Sequence, residues 1–73
     1  MVNYSTLKEN VKHLLLKKGW TRDRLMMYMG WGSTATYTRK FRKDAKWSFE
    51  EINRLLTWAE KSFDEVFVRP LLD

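Results

Sequence analysis

The sequence predicts an all-α fold, a single compact domain of five short helices. Apolar residues recur at spacings of three and four along most of the chain, as on one face of a helix, and no run alternates as a β-strand would. The 73 residues suffice for one core, which four Trp, four Phe and three Tyr can fill without any cysteine cross-link. We therefore expect residues 1–73 to form one domain.

The first helix is expected at about 6–18. Thr6-x-x-Glu9 has the pattern of a capping box, in which each side chain accepts a hydrogen bond from the other residue's backbone N–H at a helix start. Gly19 is placed to end the helix, since glycine readily adopts the left-handed conformation of helix C-termini. The residues that recur at helical spacing are Leu7, Val11, Leu14 and Lys18.

Two shorter helices are expected at about 22–29 and 33–42. Thr21 is a suitable N-cap for the first of them, and Gly30 is placed to end it. A helix, a break and a second helix rich in hydroxyl and cationic side chains have the layout of a helix-turn-helix, which presents its second helix to the DNA major groove. The inward-facing residues of this pair are predicted to be Leu25, Met29, Tyr37 and Phe41.

The last two helices are expected at about 49–60 and 63–68. Ser-x-x-Glu capping boxes occupy residues 48–51 and 62–65, where each marks a helix start. Pro70 excludes much helical continuation after the second of them. The apolar residues assigned to the core from this region are Trp47, Ile52, Leu55, Leu56, Trp58 and Ala59, joined by Trp20, and the short fifth helix carries Phe63, Val66 and Phe67.

Charge is distributed unevenly along the chain. Residues 1–47 carry eleven Lys and Arg against three acids, a balance of +8, whereas residues 48–73 carry three against six, a balance of −3. This asymmetry favours a domain that turns one face to an anionic partner and another to solvent or to a protein. Because the cations cluster around the predicted helix-turn-helix, we expect the anion to be a nucleic acid.

Composition argues against several other classes of function. His13 is the one histidine and cysteine is absent, so the chain lacks zinc-ligand sets and thiol catalysis. Glu50 and Glu51 are adjacent and point in different directions on a helix, so they are no catalytic pair. We expect no enzyme, metal or cofactor. With no apolar run near ~18 residues and no signal-peptide pattern, we expect a cytoplasmic protein without a membrane partner.

A resemblance to the λ-repressor/Cro-type (XRE) helix-turn-helix family is carried by four segments, in this order: LKENVKHLLLKKGWTRDRLMMYMG, TYTRKF, WSFEEINRLL and KSFDEVF. The similarity extends over residues 5–68 and is greatest to small regulators of Gram-positive, lactococcal-type phages. It implies a five-helix λ-repressor-like domain that binds double-stranded operator DNA in the host bacterial cytoplasm. Phage members act in the lysis–lysogeny switch, as Cro-like repressors or as antirepressors that bind the partner repressor.

The resemblance also assigns DNA contacts by position. Thr21 and Arg22 match residues that contact phosphate, and Arg39 on the recognition helix can donate two hydrogen bonds to guanine O6 and N7. Ala35 can meet thymine methyl groups, and the cations after the helix would bind phosphates. The full set of predicted DNA-binding residues is Thr21, Arg22, Ser33, Thr34, Ala35, Thr38, Arg39, Lys40, Arg42, Lys43 and Lys46.

The chain departs from the family pattern in three places. The turn within residues 30–36 is one residue longer than usual, which leaves open how the recognition helix is aimed. Arg42-Lys43 stands where the family usually has Asn-Gly, and Met26 replaces a small residue.

An alternative function is binding to the cognate phage repressor. Met-rich and aromatic patches are common at protein interfaces, and acidic side chains could meet a cationic DNA-reading surface. The residues predicted for such a partner surface are Leu16, Met27, Tyr28, Trp31, Asp44, Glu50 and Glu51. The apolar tail 66–72 could contact a second copy in a homodimer or close the core, and the sequence leaves both open.

Overall fold

The computed structural model describes residues 2–71, and over this range the chain is all-α, as the sequence predicts, with no strand. All five helices begin and end within two residues of their predicted positions. Leu72, the last residue of the apolar tail, lies outside the described residues. The helices are α1 (Tyr4–Lys18), α2 (Arg22–Met29), α3 (Thr34–Lys40), α4 (Phe49–Ala59) and α5 (Asp64–Val68), the last being one π-helical turn.

The start of α1 differs from the sequence-based prediction. The helix begins at Tyr4 because Asn3, in extended conformation, accepts a hydrogen bond from the Thr6 N–H through its side-chain oxygen at 3.1 Å. Thr6 therefore lies within the helix, and the predicted Thr6–Glu9 capping box is wrong. Asparagine is as good an N-cap as serine or threonine, so the earlier of two suitable residues starts the helix.

The other predicted helix starts are confirmed. The Thr21 hydroxyl accepts a hydrogen bond from the Arg24 N–H at 3.1 Å. Both Ser-x-x-Glu motifs form the reciprocal hydrogen bonds of a capping box, at residues 48–51 with distances of 2.8 and 3.1 Å and at residues 62–65 with distances of 3.0 and 3.3 Å. These local motifs fix where α4 and the turn leading into α5 begin.

Two helices end in the same Gly-Trp motif. Gly19 after α1 and Gly30 after α2 have left-handed backbones, with φ of 67° and 80°. In each case the following tryptophan donates its backbone N–H to the carbonyl five residues earlier, at 2.9 Å. This is the hydrogen bond of a Schellman motif, and it turns the chain so that Trp20 and Trp31 fold back onto the domain.

The helices enclose a single hydrophobic core. Trp20 and Trp47 are partly buried at its edge, as are Ile52 and Leu56. No helix in the described part of the chain is long and apolar enough to cross a membrane. The buried hydrophobic residues are Leu7, Val11, Leu14, Leu25, Met26, Met29, Trp31, Phe41, Leu55, Trp58, Ala59, Val66 and Phe67.

Asn10, a buried polar residue on α1, joins the C-terminal segment to the rest of the domain. Its side-chain N–H₂ donates to the carbonyls of Val66 and Arg69, both at 2.8 Å, and its side-chain oxygen accepts from the Leu71 N–H at 2.9 Å. These bonds satisfy carbonyls that a short π-helical turn leaves without helical partners. One amide side chain thus adds three hydrogen bonds to the apolar packing of the C-terminal segment on α1.

Candidate nucleic-acid interface

Helix α3 has one face turned to solvent and one turned to the core. Its solvent face carries hydroxyl, methyl and guanidinium groups, and all of these side chains are exposed. Tyr37 and Phe41 lie on the opposite face against Trp31, at ring-centroid distances of 5.8 and 6.3 Å. The exposed residues of this face are Thr34, Ala35, Thr38 and Arg39, followed by Arg42 one turn later. The structure therefore brings together the residues predicted to read bases.

The N-cap of α3 is Ser33, which is exposed and also belongs to the predicted set. Its hydroxyl accepts a hydrogen bond from the Thr36 N–H at 3.2 Å and lies 3.1 Å from the Thr36 hydroxyl. The Ser33 side chain is thus engaged within the helix start.

Three predicted phosphate-binding cations follow α3 and are exposed. Arg42, Lys43 and Lys46 have no carboxylate within ion-pair distance among residues 2–71, although Asp44 lies between them in sequence. Lys46 and Arg39 line the same shallow groove, of about 350 Å³, between α3 and the loop after it. Unpaired surface cations beside an exposed helix face are an electrostatic footprint suited to a polyanion.

The start of α2 lies close to α3. The Arg22 guanidinium is 4.0 Å from the Asp23 carboxylate and more than half exposed. Burial raises the pKa of the Tyr37 phenol above its usual value, and the nearby positive charge of Arg22 opposes this rise. Thr21, the exposed N-cap of α2, completes this edge. Arg22 and Thr21 therefore stand beside the helix that carries the predicted base contacts.

Lys40 differs from the other cations predicted to bind phosphate. Its ammonium lies 3.0 and 2.9 Å from the two carboxylate oxygens of Glu51, and it also donates to the Lys46 carbonyl at 2.8 Å. The ammonium is thus engaged by a carboxylate and a carbonyl of the domain itself, and the side chain is only 19% exposed. In this arrangement Lys40 serves an internal ion pair and not a phosphate.

Glu51 accepts hydrogen bonds from three different parts of the chain. Besides Lys40, it binds the Ser48 N–H at 2.8 Å and the Trp31 indole N–H at 2.7 Å. Partial burial is the largest single influence and raises the pKa of Glu51, but the hydrogen bonds from Ser48, Lys40 and Trp31 and the Lys40 charge together lower it to about 2. Glu51 is therefore ionised at neutral pH.

The predicted apolar patch is only partly formed. Leu16 and Met27 are 77% and 83% exposed, and Tyr28 is at the edge of exposure with its hydroxyl donating to the Arg54 carbonyl at 3.0 Å. The expectation for Trp31 is wrong, because its ring is only 6% exposed. The Schellman bond after α2 directs this side chain into the core, where Trp47 and the rings of α3 surround it.

The acidic residues predicted to contact a partner also differ in their exposure. Asp44 and Glu50 are exposed, and Glu50 lies 3.6 Å from Arg54 one turn along α4. Glu51 does not belong with them, because its carboxylate is 17% exposed and already accepts three hydrogen bonds, one of them from the Lys40 ammonium with which it forms an ion pair. Capping explains its presence in the sequence, but its ties to Lys40 and Trp31 join residues distant along the chain and were not predicted.

Phe63, which the sequence places on the short fifth helix, is 37% exposed, and Phe49, which was not predicted as a surface residue, is a further large apolar side chain at the surface. It is 78% exposed at the first position of α4, three residues after Lys46. Its position ahead of the inward stripe that begins at Ile52 was the available signal. Among residues 2–71 no three His, Asp or Glu side chains come together in a way that could hold a metal ion.

Comparison with known proteins assigns the chain to no family. No protein-family model, curated protein or solved structure matches this chain.

Proposed function

We propose that the protein is a sequence-selective binder of double-stranded DNA that regulates transcription, with α3 as its recognition helix. The observation that carries the proposal is the exposed face of α3, where Thr34, Ala35, Thr38 and Arg39 lie together beside unpaired cations. A short helix with such a face fits the major groove, where bases can be distinguished by hydrogen bonds and methyl contacts. The resemblance of the sequence to λ-repressor/Cro-type phage regulators supports the same function.

In the proposed mechanism, α3 reads bases and its surroundings hold the phosphates. Arg39 donates two hydrogen bonds to one guanine, and Thr34 and Thr38 meet neighbouring base edges. Arg22 lies on one side of α3, and Arg42, Lys43 and Lys46 follow it on the other. These cations neutralise phosphates and fix the helix in register. Occupation of an operator that overlaps a promoter then excludes RNA polymerase.

Selection of DNA duplexes on the protein, followed by fluorescence anisotropy, tests this function. A randomised pool of short duplexes would be selected on the protein, and the enriched duplex compared with a scrambled duplex of equal composition by fluorescence anisotropy. We expect Arg39→Ala to lower the affinity for the enriched duplex by about tenfold, since one bidentate contact contributes about 1–3 kcal/mol of discrimination. Lys12→Ala is the matched control, because it removes one exposed charge from α1. Failure to enrich any sequence would contradict the proposal.

The salt dependence of DNA binding indicates how many phosphates the protein contacts. With Arg22, Arg42, Lys43 and Lys46 on phosphates, we expect log K for DNA binding to fall with log salt at a slope of about −4. Lys43→Ala should reduce the slope by about one and weaken binding to both duplexes equally. A slope near zero between about 50 and about 200 mM salt would rule out this phosphate-binding surface.

The exposure of Leu16 and Met27 favours a second candidate, binding to a repressor that shares the same operator. Exposed Met side chains adapt easily to a partner surface. In this case the protein should change the anisotropy of a repressor–operator complex without binding that operator itself. Met27→Ser should abolish the change, while Thr57→Ser, a neutral substitution at an exposed position on α4, should not.

A further inference from the structure

One carboxylate contacts the chain on both sides of α3. Trp31 lies three residues before the first residue of α3, and Lys40 is its last residue. Glu51 on α4 accepts the Trp31 indole N–H at 2.7 Å and the Lys40 ammonium at 2.9 and 3.0 Å. The same side chain is fixed to α4 by the Ser48 N–H at 2.8 Å. The segment that leads into α3 and the last residue of α3 are thus bonded to the same side chain at the start of α4.

The aromatic rings around α3 add to this attachment. The Trp47 indole N–H donates to the Lys40 carbonyl at 2.8 Å, and the Trp47 and Trp31 rings meet edge to face at 5.4 Å. Tyr37 on the inward side of α3 and Phe41 directly after the helix pack on the Trp31 ring. Since α3 has only seven residues, its own hydrogen bonds fix its direction poorly, and contacts at its two ends decide it.

We propose that Glu51 is a positioning residue for the DNA interface, which holds Trp31 and Lys40 so that the exposed face of α3 is presented in one fixed direction. This inference rests on the proposed function, since it gives a role in base reading to residues that do not touch DNA. It also assigns Lys40 a purpose other than phosphate binding. Base discrimination requires donors placed to within a fraction of an ångström, so a loosened α3 loses specificity before it loses phosphate affinity.

Glu51→Gln tests the inference and has a close control. The glutamine keeps one oxygen that can accept hydrogen bonds, but it replaces the other by an NH₂ donor and loses the charge that holds Lys40. Glu50→Gln makes the same change of net charge at the adjacent, exposed position, so it reproduces any general electrostatic effect on DNA binding. Trp31→Phe removes the indole N–H and keeps an aromatic ring, which tests the other end of α3.

Two measurements are made on each variant at a temperature where it is fully folded. The first is the ratio of affinities for the enriched and scrambled duplexes. We expect Glu51→Gln to reduce this ratio about tenfold, with affinity for the scrambled duplex unchanged or higher, and Glu50→Gln to leave the ratio near the wild-type value. Equal ratios for the two variants would overturn the positioning role.

The second measurement is amide hydrogen exchange, which requires no DNA. We expect Glu51→Gln to speed exchange in α3 severalfold relative to the core amides of α1, and Glu50→Gln to leave α3 unchanged. Unchanged exchange in Glu51→Gln overturns the inference. If the wild-type protein does not discriminate between duplexes, the proposed function fails, and the exchange result alone decides whether Glu51 fixes α3.

Discussion

At the scale of single residues, Asn10 forms several side-chain hydrogen bonds that could not be predicted from the sequence. Its side chain donates to two carbonyls and accepts from one N–H of the C-terminal segment, and it is buried. An apolar side chain of similar size would leave the buried Val66 carbonyl and two partly buried backbone groups without these partners. Asn10 therefore stabilises the packing of α5 on α1.

We expect Asn10→Ala to lower the free energy of unfolding by about 2 kcal/mol or more, because it leaves two carbonyls and one N–H without their partners. Urea unfolding followed by tryptophan fluorescence measures the loss. Asn53→Ala, the same substitution at an exposed position on α4, is the control and should change stability by less than about 0.5 kcal/mol. Equal effects of the two substitutions would show that the hydrogen bonds of Asn10 contribute nothing.

Residue identity predicts local roles better than distant ones. Thr21 and the Ser-x-x-Glu motifs cap helices as expected, because the partner of each cap is a backbone group within three residues. Trp31 and Lys40 were expected at the surface, but their partners lie on α4, eleven or more residues away. Such contacts depend on how helices pack, and residue spacing along the chain does not contain that information.

At the scale of elements, the helix boundaries follow from sequence because they are set by local hydrogen bonds. The π-helical form of α5 could not be predicted in this way. It depends on Asn10 and on the Asn3 N–H, which donates to the Phe67 carbonyl at 2.9 Å, and both residues come from the other end of the chain. The exposed residues of α3 could be predicted together. Once Tyr37 is placed on the inward side, the helical period puts its outward neighbours on the opposite face.

The turn between α2 and α3 offers a matched pair of glycines. Gly30 has a φ of 80°, and an added Cβ would lie 3.3 Å from an Arg54 nitrogen, whereas a Cβ on Gly32 would meet nothing within 4 Å. We expect Gly30→Ala to destabilise the fold by about 1 kcal/mol, because alanine is strained in the left-handed region. Gly32→Ala should have less than half this effect in the same urea experiment. A larger effect at Gly32 would mean that the turn is held differently.

At the scale of the whole molecule, the carboxylate of Glu51 makes the stability of the fold depend on pH. Its pKa is lowered to about 2 in the folded protein, against an ordinary value of 4.5. The folded state therefore gains stability from ionised Glu51 at every pH above about 4.5, and this gain is lost as the pH falls towards 2. Because water still reaches this carboxylate and screens its contacts, the stabilisation is smaller than the ~3 kcal/mol that the full pKa difference would give.

We expect the wild-type protein to exceed Glu51→Gln in free energy of unfolding at neutral pH, and the difference to shrink as the pH falls from about 4.5 towards about 2. Urea unfolding at several pH values measures it. Glu50→Gln should show a small difference throughout, because the Glu50–Arg54 ion pair is exposed to water. A wild-type advantage that persists unchanged to the lowest pH would contradict the role given to the Glu51 charge.

The attachment of α5 through Asn10 also has a kinetic consequence. The hydrogen bonds of Asn10 join residues separated by 56 to 61 positions, so they close a loop that spans most of the described chain. Closing so long a loop costs entropy that is recovered only when the other helices are already packed. Substitutions at this junction should therefore accelerate unfolding more than they slow folding. We therefore expect α5 to join the fold after the other helices and to leave it before them.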